Sequence, residues 1–300
     1  MSSKKIAVWS DVDLDGAMCQ IIHTWMHGET NIEKYTCNAA RLREELLKWL
    51  NTHKFSDYKQ VVFADLDTSS IADLIDLDNV VIYDHHESHK TQAASYIKAR
   101  VHVYDCKSAA EIIFKENKNI LISQKAITPE RTKLLLLVSD YDSYTLQLKE
   151  SKNLSIIFWS YTGNRIEQFC KEFINGFSGF TQLQQNAIVF YYKKLKEITD
   201  DLHLFTGTIR DNKVISCFCS AAHNDVAHYI INTYKANIAI LVNPKTKTVS
   251  FRKSKDCKVN LSVLADTLCG EGAGGHDAAA GGKITEKFLL FTKTLSPHES

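Results

Sequence analysis

Short apolar runs recur through the first half of the chain, and each ends in acids. Ile6-Ala7-Val8-Trp9 leads to Asp11, Asp13 and Asp15, and Val61-Val62-Phe63-Ala64 leads to Asp65 and Asp67. Val80-Val81-Ile82-Tyr83 leads to Asp84-His85-His86, and Leu134 to Val138 leads to Ser139, Asp140, Tyr141 and Asp142. Continuous β-branched and aliphatic runs of this length suit strands buried on both faces. Strands are expected at 6–10, 61–66, 80–84 and 100–104. Between them, Met18 to His27 and Arg41 to Thr52 carry apolar residues at helical spacing, and Ser108 N-caps a further helix to Glu116. Strands alternating with helices predict βαβ units around a parallel sheet, where ligands bind beyond the carboxyl ends of strands. All four acid clusters fall at such ends on this reading.

Past residue 150 the texture changes. Residues 181–203 contain no Gly or Pro and read as a linker helix. Beyond it, runs from Lys213, Ile238 and Thr248 read as strands, and Asp225 to Tyr234 and Leu261 to Leu268 read as helices. The expectation is an α/β protein of two domains: 1–180 around a parallel sheet, and a smaller α/β domain at 204–300.

Composition narrows the chemistry. Lys plus Arg (36) nearly balances Asp plus Glu (35), so no global basic field exists to hold long duplex nucleic acid. A polyanionic substrate must be gripped locally. None of the eight cysteines forms a Cys-x-x-Cys pair, so zinc ribbons and redox motifs are unsupported, and Cys217-Phe218-Cys219 reads as core packing. No signal peptide is read at the start of the sequence and no apolar stretch reaches 18 residues, so the expected location is the cytoplasm, with no membrane partner.

The first acid motif alternates, so in an extended chain Asp11, Asp13 and Asp15 share one side and need a counter-charge. Oxygen ligands with one or two imidazoles suit Mn²⁺ or Mg²⁺ better than zinc. A pair of such ions is the usual clamp for hydrolysing a phosphate ester. Helix capping explains a lone aspartate, but neither an alternating triple nor two adjacent histidines. An EF-hand loop would need Glu at its twelfth position, which is Ile22 here.

The order Asp-x-Asp-x-Asp-Gly, Asp65, Asp84-His85-His86 and Asp140 resembles the DHH phosphoesterase superfamily, including RecJ exonucleases and nanoRNases. That resemblance implies two Mn²⁺ or Mg²⁺ ions. Carried over, Asp13 and Asp15 would each ligate one ion, Asp65 would bridge both, and His85 and Asp140 would complete the second ion's shell. His86 would face the scissile phosphate, and Asp84 would support the ligands. Trp9 stands where many members have a histidine ligand, and Asp11 is expected to take that part. Further on, Ser250-Phe251-Arg252, Val259 to Ala265 and Gly274-Gly275-His276-Asp-Ala-Ala-Ala-Gly resemble the DHH-associated C-terminal domain. There, Arg252, Gly274, Gly275 and His276 would hold the substrate's phosphate or terminal nucleotide.

The implied activity is a metal-dependent phosphodiesterase acting from one end of short single-stranded oligonucleotides, in a cleft between the two domains. The alternatives are a hydrolase of small nucleotides, such as cyclic dinucleotides or 3′-phosphorylated nucleotides, and a non-catalytic nucleic-acid-binding scaffold.

Overall fold

The computed structural model describes residues 4–270, 272–275 and 277–298. The chain divides into two compact units, Met1–Ile188 and Val189–Ser300.

In the first unit five strands, β1 (Ile6–Ser10), β2 (Ile32–Thr36), β3 (Gln60–Ala64), β4 (Val80–Asp84) and β5 (Arg100–Val103), form a wholly parallel sheet in the order β2-β1-β3-β4-β5. Among the described residues the accompanying α-helices are α1 (Leu14–His27), α2 (Leu42–Leu50), α3 (Ala72–Ile75), α4 (Glu87–Ala93), α5 (Ala109–Glu116), α6 (Lys118–Ser123), α7 (Pro129–Asp142), α8 (Lys149–Ser160) and α9 (Arg165–Phe173). Alternate strand residues divide between the two faces, as the pleat requires. Ala7, Trp9, Val61, Phe63, Val80 and Ile82 bury one face against Leu42 and Leu46 of α2 and Ile75 of α3. The opposite face carries α1, which packs on α5, α7 and α9. Its Gln20 amide reaches the Ser10 hydroxyl at 3.0 Å.

Two expectations change here. The edge strand β2 carries little sequence signal, because Ile32 alone among its five residues is buried. The run Leu134 to Val138 lies in a helix, not at the end of a strand. Thr128 caps that helix by accepting from the Arg131 amide, and Pro129 occupies its first turn, where a missing N–H costs nothing.

α10 (Gln182–Asp200) contains the division between the units, so the helix expected over 181–203 is present. The second unit holds β6 (Leu204–Ile209), β7 (Asn212–Phe218), α11 (His223–Tyr234), β8 (Ile238–Asn243), β9 (Thr248–Lys253), α12 (Leu261–Cys269), β10 (Gly274–Gly275), β11 (Ala279–Lys283), α13 (Glu286–Thr292) and β12 (Ser296–Pro297). Among the described residues its strands run in the order β10-β11-β9-β8-β7-β6-β12, with β7 and β8 the parallel pair. One face packs on Leu261 and Phe288, the other on Val226 and Ile230. Cys217 and Cys219 are buried in the second of these cores, as their spacing suggests.

Gly16 shows why α1 can start where it does. A Cβ on Gly16 would stand 2.2 Å from the Asp11 carbonyl oxygen, inside α1 and not in a turn. The missing side chain lets the first turn of α1 lie against the acid-bearing loop. Gly16→Ala should cost about 2 kcal/mol or more in urea unfolding, since backbone must move. Gly274→Ala is the control: its Cβ would meet only Ser262 Oγ at 3.6 Å, and the cost should stay within about 0.5 kcal/mol.

Candidate metal centre

β1 and β3 are neighbours in the sheet, but their chains leave in opposite directions. β1 feeds α1 on one face and β3 feeds α3 on the other, which opens a crevice beyond their carboxyl ends. Asp11, Asp13 and Asp15 follow β1 and Asp65 follows β3, so the acids line the point at which the strand order reverses. Asp84-His85-His86 ends the adjacent β4.

Each side chain is held by a local device. Asp13 caps α1, with Oδ1 accepting from the Gly16 amide at 2.9 Å. Asp15 is fully buried and accepts from the Ala109 and Ala110 amides at 2.7 and 3.1 Å, at the positive N-terminus of α5. Asp11 accepts from the Val12 amide at 2.7 Å. Asp65 adopts φ +58°, left-handed backbone that a non-glycine residue holds only under constraint, and its amide is tied to the Tyr83 carbonyl at 2.9 Å. Asp67 is spent on a turn, accepting from the Ser69 amide and hydroxyl.

Two aspartates are saturated. Asp84 Oδ1 accepts from the His85 amide, the His86 amide and His86 Nδ1 at 2.7, 3.2 and 2.6 Å, while Oδ2 accepts from His89 Nδ1 at 2.7 Å. A carboxylate offers about four acceptor sites, and four protein donors, three on Oδ1 and one on Oδ2, converge on Asp84. Asp140 is filled in the same way, by the Thr145 hydroxyl, the Gln147 and Leu148 amides and the Ser151 hydroxyl, all within 2.9 Å.

The motif spacing points to Asp140 as the ligand from α7, and the structure brings Asp142 into a cluster with Asp15 and His85. Asp142 Oδ2 lies 3.2 Å from His85 Nε2, which in turn lies 3.5 Å from Asp65 Oδ1. That Asp142 oxygen is buried and makes no aligned hydrogen bond. Asp15, His85 and Asp142 bring ligand atoms within 4.8 Å of one another, as do Asp65, Asp84, His85 and His86.

The electrostatics describe a crevice short of positive charge. Burial, then repulsion from Asp13, lifts Asp11 to about 6 and Asp15 to about 7, the latter against the pull of the α5 amides. Burial and the neighbouring acids push Asp65 and Asp142 far above the carboxylate range. For Asp84 burial acts upward, yet the donors His86 and His89 together hold it below that range. Burial lowers His85. Burial lowers His86 too, but its bond to Asp84 and the surrounding carboxylates outweigh this and raise it. An orphaned buried carboxylate oxygen beside hard oxygen donors and two imidazoles fits a divalent cation of the Mn²⁺ or Mg²⁺ type.

Trp9, at the position where a histidine is expected, is buried on the opposite face of the sheet, stacked 4.8 Å from Tyr35. In the second unit, Arg252 on β9 directs Nε and an outer nitrogen to Asn224 Oδ1 at 2.9 and 2.6 Å. Gly275 has φ +141°, and a Cβ there would stand 2.6 Å from the Ala279 carbonyl oxygen. His276 lies outside the described residues. Asn224, a cap by its sequence context, is the Arg252 partner. His89, an ordinary core or surface histidine by the same kind of reading, is fully buried against Asp84.

A stability test follows from the raised groups. Acids and a histidine whose pKa is higher folded than unfolded bind protons more tightly in the folded state. Their contribution is present at low pH and lost as pH rises through the folded values; His85, lowered by burial, works against this trend at about pH 6 but is one group against several, and Asp84, lowered, matters only in acid. Metal-free protein should therefore melt roughly 5 °C or more lower at about pH 8 than at about pH 5.5, and Mn²⁺ should reverse the loss at pH 8. Asp142→Asn should raise the metal-free melting point at pH 8 and blunt the Mn²⁺ response. Asp140→Asn should instead cost about 2–3 kcal/mol at both pH values.

Two family models match the chain: "DHH family, N-terminal domain" over residues 5–138 and "DHHA1 domain" over residues 211–296. None of the curated proteins matches it. Solved structures share its fold at low identity. A pGpG-specific phosphodiesterase, PggH, from Vibrio cholerae is 13% identical with a TM-score of 0.60, covering 97% of this chain and 96% of that one. RecJ in complex with Mn²⁺ from Thermus thermophilus is 16% identical with a TM-score of 0.55, covering 97% of this chain and 51% of that one, so the chain spans about half of that protein. An exonuclease RecJ bound to manganese is 14% identical with a TM-score of 0.53, covering 97% and 89%. The two matched segments contain the acids after β1, β3 and β4 and the Arg252 and Gly274-Gly275 region, and the chain belongs to the DHH phosphoesterase superfamily, with a DHHA1 domain following its DHH domain.

Proposed function

We propose that this protein is a two-metal phosphodiesterase that hydrolyses short single-stranded oligonucleotides from one end, with dinucleotides among its substrates. The observation that carries the reading is that two ligand clusters, Asp15 with Asp142 and Asp65 with Asp84 and His86, share His85 beside a buried Asp142 oxygen that makes no aligned hydrogen bond. Asp13, Asp15, Asp65, His85 and Asp142 would hold two Mn²⁺ or Mg²⁺ ions, with Asp11 assisting the first. When bound, such ions lower the pKa of an attacking water and neutralise charge on the phosphate.

The protein's own groups supply the rest. Asp65, held in left-handed backbone with Oδ1 3.5 Å from His85 Nε2, would be the carboxylate shared between the ions. His86 keeps Nδ1–H on Asp84, which leaves Nε2 as the nitrogen that gives a proton to the departing oxygen. In the second unit, Arg252 would grip a phosphate with a guanidinium that Asn224 already orients, and the Gly274, Gly275 and His276 segment would add amides and an imidazole.

Two observations favour a very short substrate. The near-zero net charge gives no field for tracking a long strand. The chain also shares its fold with PggH, a pGpG-specific phosphodiesterase, over nearly the whole length of both. Both halves of the reading are tested by incubating purified protein and Mn²⁺ with a size series from dinucleotides to decanucleotides, alongside a cyclic dinucleotide. Mononucleotides should be released fastest from the shortest linear substrates, and chelation or Asp65→Ala should lower the rate at least about 100-fold. Activity surviving Asp65→Ala would exclude a carboxylate-bridged pair, and intact di- to decanucleotides would sink the proposal.

A further inference from the structure

Two hydrogen-bond paths meet at Asp84. Its Oδ1 takes Nδ1 of His86 at 2.6 Å, and its Oδ2 takes Nδ1 of His89 at 2.7 Å. The second path continues inward: His89 Nε2 lies 2.9 Å from the Thr68 hydroxyl, which lies 2.7 Å from the Tyr96 phenol. Asp84, His89 and Thr68 are all fully buried. His89 belongs to the first turn of α4, which folds it back beneath the end of β4.

One proton arrangement satisfies every link with a neutral His89 ring. Tyr96 donates to Thr68, Thr68 donates to His89 Nε2, and His89 Nδ1–H donates to Asp84. Without His89, Asp84 Oδ2 would be a buried acceptor lacking its donor, a costly state that the carboxylate relieves by turning. Turning it would also move Oδ1, the atom that sets the orientation of His86. Neither ring of the His86–Asp84–His89 chain is independent of the other.

We propose that His89 is a positioning residue: through Asp84 it fixes His86 in the tautomer with Nδ1–H inward, and Thr68 and Tyr96 hold His89 for this task. The catalytic half of this assignment rests on the phosphodiesterase reading above, whereas the hydrogen-bond half stands on the metal-free protein. With Nδ1 committed to Asp84, Nε2 is the His86 nitrogen directed away from the buried chain.

The test compares His89→Leu, which removes the donor, with His89→Asn, whose amide N–H can replace Nδ1–H. The ¹⁵N shifts of the His86 ring are read in metal-free protein, and kcat, KM and the Mn²⁺ midpoint are measured on a dinucleotide. His89→Leu should give mixed His86 tautomers and a kcat about 10–100-fold lower, with KM and the Mn²⁺ midpoint within about twofold of the parent. His89→Asn should restore the single tautomer and most of the rate. An unchanged His86 signature in His89→Leu overturns the proposal, as does a kcat within about twofold of the parent or an Asn variant no better than Leu. Should His89→Leu fail to fold, Thr68→Val gives the same ring readout by removing the hydroxyl that directs His89, and an unchanged His86 there overturns it equally. If the parent protein cleaves no oligonucleotide, the phosphodiesterase reading falls while the ¹⁵N comparison still decides the role of His89.

Discussion

Like-charge repulsion in a crevice too dry to screen it organises the first unit. Asp11, Asp13, Asp15, Asp65 and Asp142 approach one another at the carboxyl ends of the sheet, where burial alone already penalises a charged carboxylate. Backbone devices hold them there: the α5 N-terminus for Asp15, the α1 cap for Asp13, and left-handed backbone for Asp65. Folding energy is thus spent on keeping negative charge together, the arrangement expected of a site built around a cation.

The same crevice separates acids by what already occupies them. Asp84 and Asp140 each accept from four protein donors, whereas Asp142 has a buried oxygen with no aligned donor. Counting donors therefore divides structural carboxylates from those left for a ligand, and it does so where distance alone does not. Asp84 lies within ligand range of Asp65, His85 and His86 and still takes four protein donors.

Much of this is legible in the sequence. β1, β3 and β4 announce themselves as apolar runs because parallel strands are buried on both faces, and the acids that follow mark their carboxyl ends. β2 is silent because an edge strand with the sequence Ile-Glu-Lys-Tyr-Thr buries only its first residue. The leucines of α7 form an unbroken run that has neither the two-residue nor the 3.6-residue period, so only Thr128-Pro129 tells helix from strand. The choice of Asp140 over Asp142 follows from motif spacing, whereas the four donors to Asp140 come from residues 145–151 in the segment after α7, which no spacing rule reveals. His89 escapes notice because its partners, Asp84 and Thr68, sit 5 and 21 residues away with no periodic relation to it.

The two acids at the end of α7 are two positions apart on a helix, about 200° around its axis. One faces inward to organise the chain entering α8, and the other faces the crevice. Their roles are set by angular phase as much as by identity. Losing or gaining a single residue between Thr128 and Asp140 would rotate that end by about 100° and present neither carboxylate correctly. The length of α7 is accordingly as much a part of the site as its aspartates, and descendants of this chain should tolerate changes of residue along the helix far better than changes of count.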